Sequence, residues 1–171
     1  MSGGTGAVSA SCGGAHLART TEHCSGVGTA FQAWPLQTEL ALHALPTTPA
    51  CARGHVRTVA REWGLPDLAD TAELLVSELV TNAVRASERI KLRADTAIVP
   101  VVRLRLVSDR LSIVIHVWDG SEEMPVRQEA SLDEEGGRGL MLVEILGKDW
   151  GAYREADGKV VWVMISLSGD P

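Results

Sequence analysis

Residues 72–87 read AELLVSELVTNAVRAS, and their spacing decides how the rest of the chain is arranged. At about 100° per residue, Leu68, Ala72, Leu75, Val76, Leu79 and Ala83 fall in one arc, the mark of an amphipathic helix that lays an apolar stripe on a core. Glu78 and Asn82 stand four apart on the flank of that stripe, so a carboxylate and an amide project side by side from one wall. Such a pair either lines a cleft or is merely wet. The sequence on either side of it decides which.

Upstream, residues 1–33 are rich in Gly, Ser, Thr and Ala and almost free of large apolar side chains. Too little burial is on offer to offset the entropy of ordering them, so a disordered tail is expected there and one domain over 34–168. Alternation predicts a strand over 38–45, ended by Pro46 and Pro49. A helix opens at Thr48 or Pro49 and carries Val56, Val59, Ala60 and Trp63 at helical spacing until Gly64 and Pro66 stop it. Asp67 is the expected N-cap of the next helix, over 68–87.

Downstream the period changes to two. VPVVRLRLV over 99–107 and LSIVIHVW over 111–118 alternate around a Ser108-Asp109-Arg110 turn, which predicts an antiparallel hairpin with one face on the helices. Asp119-Gly120-Ser121 follows, then a polar stretch expected to be a loop or lid. Gly136-Gly137-Arg138-Gly139 leads into LMLVEILG, where Leu140, Val143 and Leu146 are helically spaced and Gly147 is a stop. A glycine-rich turn opening a helix is an anion site in waiting, since the first amides and the positive dipole end face whatever sits there. The last segment predicts two strands joined at Asp157-Gly158, with Val161, Val163, Ile165 and Leu167 on the core face. Strand, helix, helix, strand, strand, helix, strand, strand makes an α+β fold: two layers, a mainly antiparallel sheet with helices on one face.

Composition narrows the function. With 171 residues and 45% hydrophobic side chains the chain has enough material for one real core. A formal charge of −6 with no basic run argues against nucleic acid as a partner. No apolar run approaches the roughly 18 residues that span a bilayer, and no signal core opens the chain, so a cytoplasmic protein with no membrane partner is expected. The three cysteines, Cys12, Cys24 and Cys51, form no CxxC pair, and neither a disulfide framework nor a metal held by the protein alone is expected.

An ExxxN on a helix, an Asp-Gly at the end of a core strand and a Gly-rich turn opening the next helix occur here in that order. Together, LLVSELVTNAVRAS, VWDGSEEMP, GGRGLMLVEILGKDWG and GKVVW resemble the GHKL superfamily of nucleotide-binding proteins, whose ATP site is the Bergerat fold. Within it they are most similar to the anti-sigma factor serine/threonine kinases. The resemblance implies ATP and Mg2+ as cofactors. It implies that Asn82 helps hold the magnesium bridging the phosphates and that Glu78 is the catalytic base or positions the nucleophile. Asp119, followed by Gly120, would accept a hydrogen bond from the adenine amino group. Gly137, Arg138 and Gly139, with Leu140, would lie over the phosphates. The fuller superfamily pattern is DxGxG, whereas Asp119 is followed here by Gly120, Ser121 and Glu122, which does not meet it. Glu134 and Glu135 stand just before the phosphate turn.

The leading expectation is therefore an ATP-dependent regulatory kinase that phosphorylates Ser or Thr on a partner protein. Expected partners are an anti-sigma antagonist or a sigma factor, and a homodimer is left open. The alternative is a non-catalytic module of the same fold, in which nucleotide controls partner binding.

Overall fold

The computed structural model describes residues 34–94, 99–125 and 138–167. The expected tail over 1–33, and Gly137, Glu134 and Glu135, lie outside the described residues.

Strand β1, Leu36–His43, is shifted two residues toward the N-terminus from its expected place. The carbonyl of His43 accepts from the Leu45 amide at 2.9 Å and from the Thr48 hydroxyl, which turns the chain before Pro46 can end it. Helix α1, Thr48–Glu62, starts and stops as its sequence implies. Gly64 takes φ +76°, which an L side chain resists. Its amide bonds Arg61 O at 3.0 Å while the Leu65 amide bonds Ala60 O at 2.8 Å, a Schellman closure.

A 3-10 turn, Pro66–Leu68, follows and holds Asp67, which therefore does not serve as the N-cap. Helix α2 is Ala69–Ala94, about two turns longer than expected. ERIKL over 88–92 is made of helix-tolerant residues with no Gly or Pro, so nothing local ends the helix at Ser87.

Strands β2, Val101–Ser108, and β3, Ser112–Asp119, form the hairpin. Asp109 Oδ1 caps its turn by accepting from the Leu111 and Ser112 amides at 2.9 and 2.7 Å. Helix α3, Arg138–Leu146, precedes β4, Asp149–Glu155, and β5, Gly158–Ser166. Glu155 pairs with Gly158, so the last turn is Ala156-Asp157, one residue earlier than expected.

The sheet order is β1-β2-β3-β5-β4, and every neighbouring pair is antiparallel. Helix α2 packs across β3, β2 and β5, and α1 packs against α2. The predicted stripe of Leu68, Ala72, Leu75, Val76, Leu79 and Ala83 is buried in full, against Val102, Leu104, Leu106, Ile113, Ile115, Val117, Val161, Val163 and Ile165. Arg57 and Glu73 clamp the two helices with a two-pronged ion pair whose outer contact is 2.6 Å. On the other face of the sheet, Val107, Val114 and Trp162 form a smaller cluster with Trp34, Tyr153 and Met164. There Arg103 lies 4.0 Å over the Trp118 ring. This is the expected α+β two-layer fold.

Candidate functional site

A cleft of about 390 Å³ opens between α2 and the ends of β3 and β5. Helix α2 forms one wall with Leu79, Asn82, Ala83, Arg85, Ala86 and Arg89. Val117 and Asp119 from β3, with Lys159 and Val161 from β5, make the floor. Glu123, Met124 and Pro125 after β3, and Leu140 from α3, close the sides. Period two along the strands puts Val117 and Asp119 on the helix side of β3. Period 3.6 along α2 brings Asn82, Arg85 and Arg89 to the same flank.

At the end of the floor stands a buried ion pair. Asp119 and Lys159 are direct cross-strand partners, with side chains 3% and 7% exposed and Nζ 2.8 Å from Oδ1. The same oxygen accepts the Ser121 amide at 2.8 Å, and the Ser121 hydroxyl accepts the Glu123 amide at 3.1 Å. These hydrogen bonds shape the chain where the fuller motif has its glycines, at the positions of Ser121 and Glu123. Burial pushes the Asp119 carboxyl above its usual range, against the hydrogen bond and charge of Lys159, the Ser121 amide and the charge of Arg89. At the mouth, Arg89 and Glu123 face each other at 3.6 Å, both about half exposed, a contact worth little by itself.

The start of α3 meets the acid–amide flank of α2. A Cβ on Gly139 would lie 2.8 Å from Glu78 Oε2 and 3.3 Å from Asn82 Nδ2, so only glycine allows this approach without displacing a neighbour. Of the sequence-predicted residues, Asn82, Asp119 and Leu140 line the cleft, Gly139 abuts Asn82 and Glu78, and Gly120 follows Asp119 without lining it. Glu78 is not among its lining residues and packs instead against Gly139. Arg138 begins α3, and Gly137 lies outside the described residues.

Sequence reasoning missed Lys159, Arg85 and Arg89. All three were within reach of it. Lys159 is two residues before Val161 and so on the same strand face, while Arg85 and Arg89 follow Asn82 by three and seven, the spacing of one helix flank.

Chemically, the cleft combines an apolar slot, an acid–base pair at its end and two arginines along one wall. That set suits a flat, polar-edged ring carrying negative charge. Asn82 offers one hard oxygen, and among the described residues no group of three or more His, Cys, Asp or Glu could hold a metal ion. A magnesium ion that keeps its waters and takes most ligands from phosphates fits such a wall. No helix among the described residues is long and apolar enough to cross a membrane.

Among proteins of curated function none matches the chain. A solved structure of the RsbU and RsbW domains of Rv1364c from Mycobacterium tuberculosis is similar, at 18% identity and TM-score 0.48. The match covers 77% of this chain and 32% of that one, so this chain spans about a third of its length. The sequence model of the histidine kinase-like ATPase domain matches residues 42–165, from the end of β1 to the end of β5. With that match running over most of its length, and with the acid–amide helix, the Asp-Gly strand end and the glycine of α3 around one cleft, the chain belongs to the histidine kinase-like ATPase domain family.

Proposed function

We propose that residues 34–168 form an ATP-binding regulatory domain that acts as a serine/threonine kinase on a partner protein in the cytoplasm. The observation that carries this reading is the convergence of Asn82, Gly139 and the Asp119 floor on one cleft. Val117 and Val161 would take the base beside Asp119, and Arg85, Asn82 and the first amides of α3 would face the phosphates. Asn82 would hold Mg2+ together with the phosphates, and the ion would neutralise charge on the transferred phosphoryl group.

Glu78 stands beside Asn82 at the phosphate end. As the carboxylate it accepts the proton of the partner's Ser or Thr hydroxyl, whose oxygen bonds to the γ-phosphorus as the bond to ADP breaks. The partner is an anti-sigma antagonist or a sigma factor, in line with the motif resemblance.

One observation favours the non-catalytic module. Glu78 Oε2 packs toward Gly139 rather than lining the cleft, so its carboxylate could serve to seat α3 over Asn82. Incubation of the full chain with γ-labelled ATP, Mg2+ and candidate antagonist proteins separates the two. Transfer of label to Ser or Thr of a partner supports the kinase. Binding of Mg·ATP with no label on any partner supports the module.

A further inference from the structure

Lys159 is an ammonium group set into the floor of an apolar cleft, 6% exposed. A lysine so placed persists only when paired, and its pairing reshapes Asp119. Oδ1 already receives two donors, the Ser121 amide and Lys159 Nζ, each at 2.8 Å, which fills its two lone pairs. Among the described residues no donor is placed on Oδ2, and Lys159 keeps two N–H bonds beyond the one given to Asp119. Because both residues line the cleft, the floor shows a ligand one open acceptor with one donor beside it.

We propose that Lys159 is the base-specificity residue of this cleft, donating to ring nitrogen N1 of adenine while Asp119 Oδ2 accepts the exocyclic amino N–H. The assignment rests on the nucleotide reading given above. Placed as adenine is, guanine fails twice against this pair. Its N1 bears a hydrogen, which would point at the Lys159 donor. Its O6 would stand where the adenine amino group stands, facing Oδ2 acceptor against acceptor. A donor facing a donor in a buried site is the arrangement that discriminates most strongly between otherwise similar ligands.

The test measures dissociation constants of the full chain for ATP, 1-deaza-ATP, in which a C–H replaces N1, and GTP. Wild-type protein should bind 1-deaza-ATP and GTP about tenfold or more weakly than ATP. Lys159→Met, which keeps the stem and removes the donor, should bind ATP and 1-deaza-ATP alike and narrow the gap to GTP. Equal wild-type affinity for ATP and 1-deaza-ATP overturns the role of Lys159 and leaves the nucleotide reading standing. That arm needs no variant, so a Lys159→Met protein that does not fold cannot obscure it. Wild-type protein that binds none of the three overturns the nucleotide reading, and the assignment of Lys159 with it.

Discussion

Gly139 stands so close to Glu78 that a methyl group on it would come within 2.8 Å of Oε2. The atom in the way is the end of a flexible side chain, so the carboxylate can swing aside while the helices keep their places. Replacing Gly by Ala inside a helix also gains up to about 1 kcal/mol in propensity. Gly139→Ala should therefore leave the melting temperature within a few degrees of wild type. It should nonetheless weaken Mg·ATP binding about tenfold, because the Glu78–Asn82 flank has moved. Unchanged affinity in calorimetry would dissociate the start of α3 from nucleotide binding.

Asn82 and Glu78 have separable jobs under the kinase reading. Asn82→Ala should weaken Mg·ATP binding and slow transfer together, since it acts through the metal. Glu78→Ala should keep ATP affinity within a few fold and cut transfer by about 10²-fold or more. If Glu78 only seats α3, its loss lowers melting temperature and affinity but spares transfer at saturating ATP.

Asp119→Asn removes the counter-charge of a buried lysine. Breaking such a pair from one side costs about 3–5 kcal/mol, because the other charge stays buried. Urea unfolding should show that loss. The double change Asp119→Asn with Lys159→Met should recover a good part of it, since the stranded ammonium is gone. Additive losses in the two single variants and the double would mean that the two side chains are not coupled.

Acid should destabilise the fold through His116. Burial, assisted by the charge of Arg105, lowers its pKa to about 4 from the usual 6.5, so the folded protein holds it neutral. A lowered folded pKa means that the unfolded chain binds the proton first. The stability from this group is complete above about pH 6.5 and drains away as pH falls toward 4, by about 3 kcal/mol in all. Asp119 works in the opposite sense: its raised carboxyl pKa favours the fold as pH drops, from its raised value down to the usual carboxylate range. Denaturant titrations from pH 7 to 4.5 should show a loss that His116→Gln largely abolishes. A variant that keeps the full wild-type slope would place the acid sensitivity elsewhere.

Much of the fold was legible because its signals are periodic. The stripe from Leu68 to Ala83 obeys one period and is buried; along the hairpin Val102, Leu104, Leu106, Ile113, Ile115 and Val117 keep the other, although Leu111, which continues it, is exposed, and Val107, Val114 and His116 are buried on the opposite face. Boundaries were less legible where they depend on tertiary geometry. The early end of β1 is set by Thr48 reaching back to His43, and no local residue announces that. The site was half legible. Asp119 and Asn82 stand out by type and motif, whereas Lys159 hides in GKVVW because lysine reads as a surface residue until the alternation of Val161, Val163 and Ile165 is carried back to it. Its burial becomes physically reasonable only once Asp119 is known to lie directly across the strands.

The sheet order puts β3 and β5 side by side in the interior, with β1 and β4 at the rims. Amide hydrogens that exchange slowest with deuterated solvent should therefore belong to the two strands that carry Asp119 and Lys159. Helix α3 is nine residues long, and while Val143 is fully buried, Met141 and Ile145 are open to solvent, so its amides should exchange early. One end of the cleft is then as durable as the whole molecule and the other opens on its own. Deuterium uptake with and without ATP should change most at α3 and least at β3, so that a ligand's hold on the chain would be lost first from the end that α3 closes.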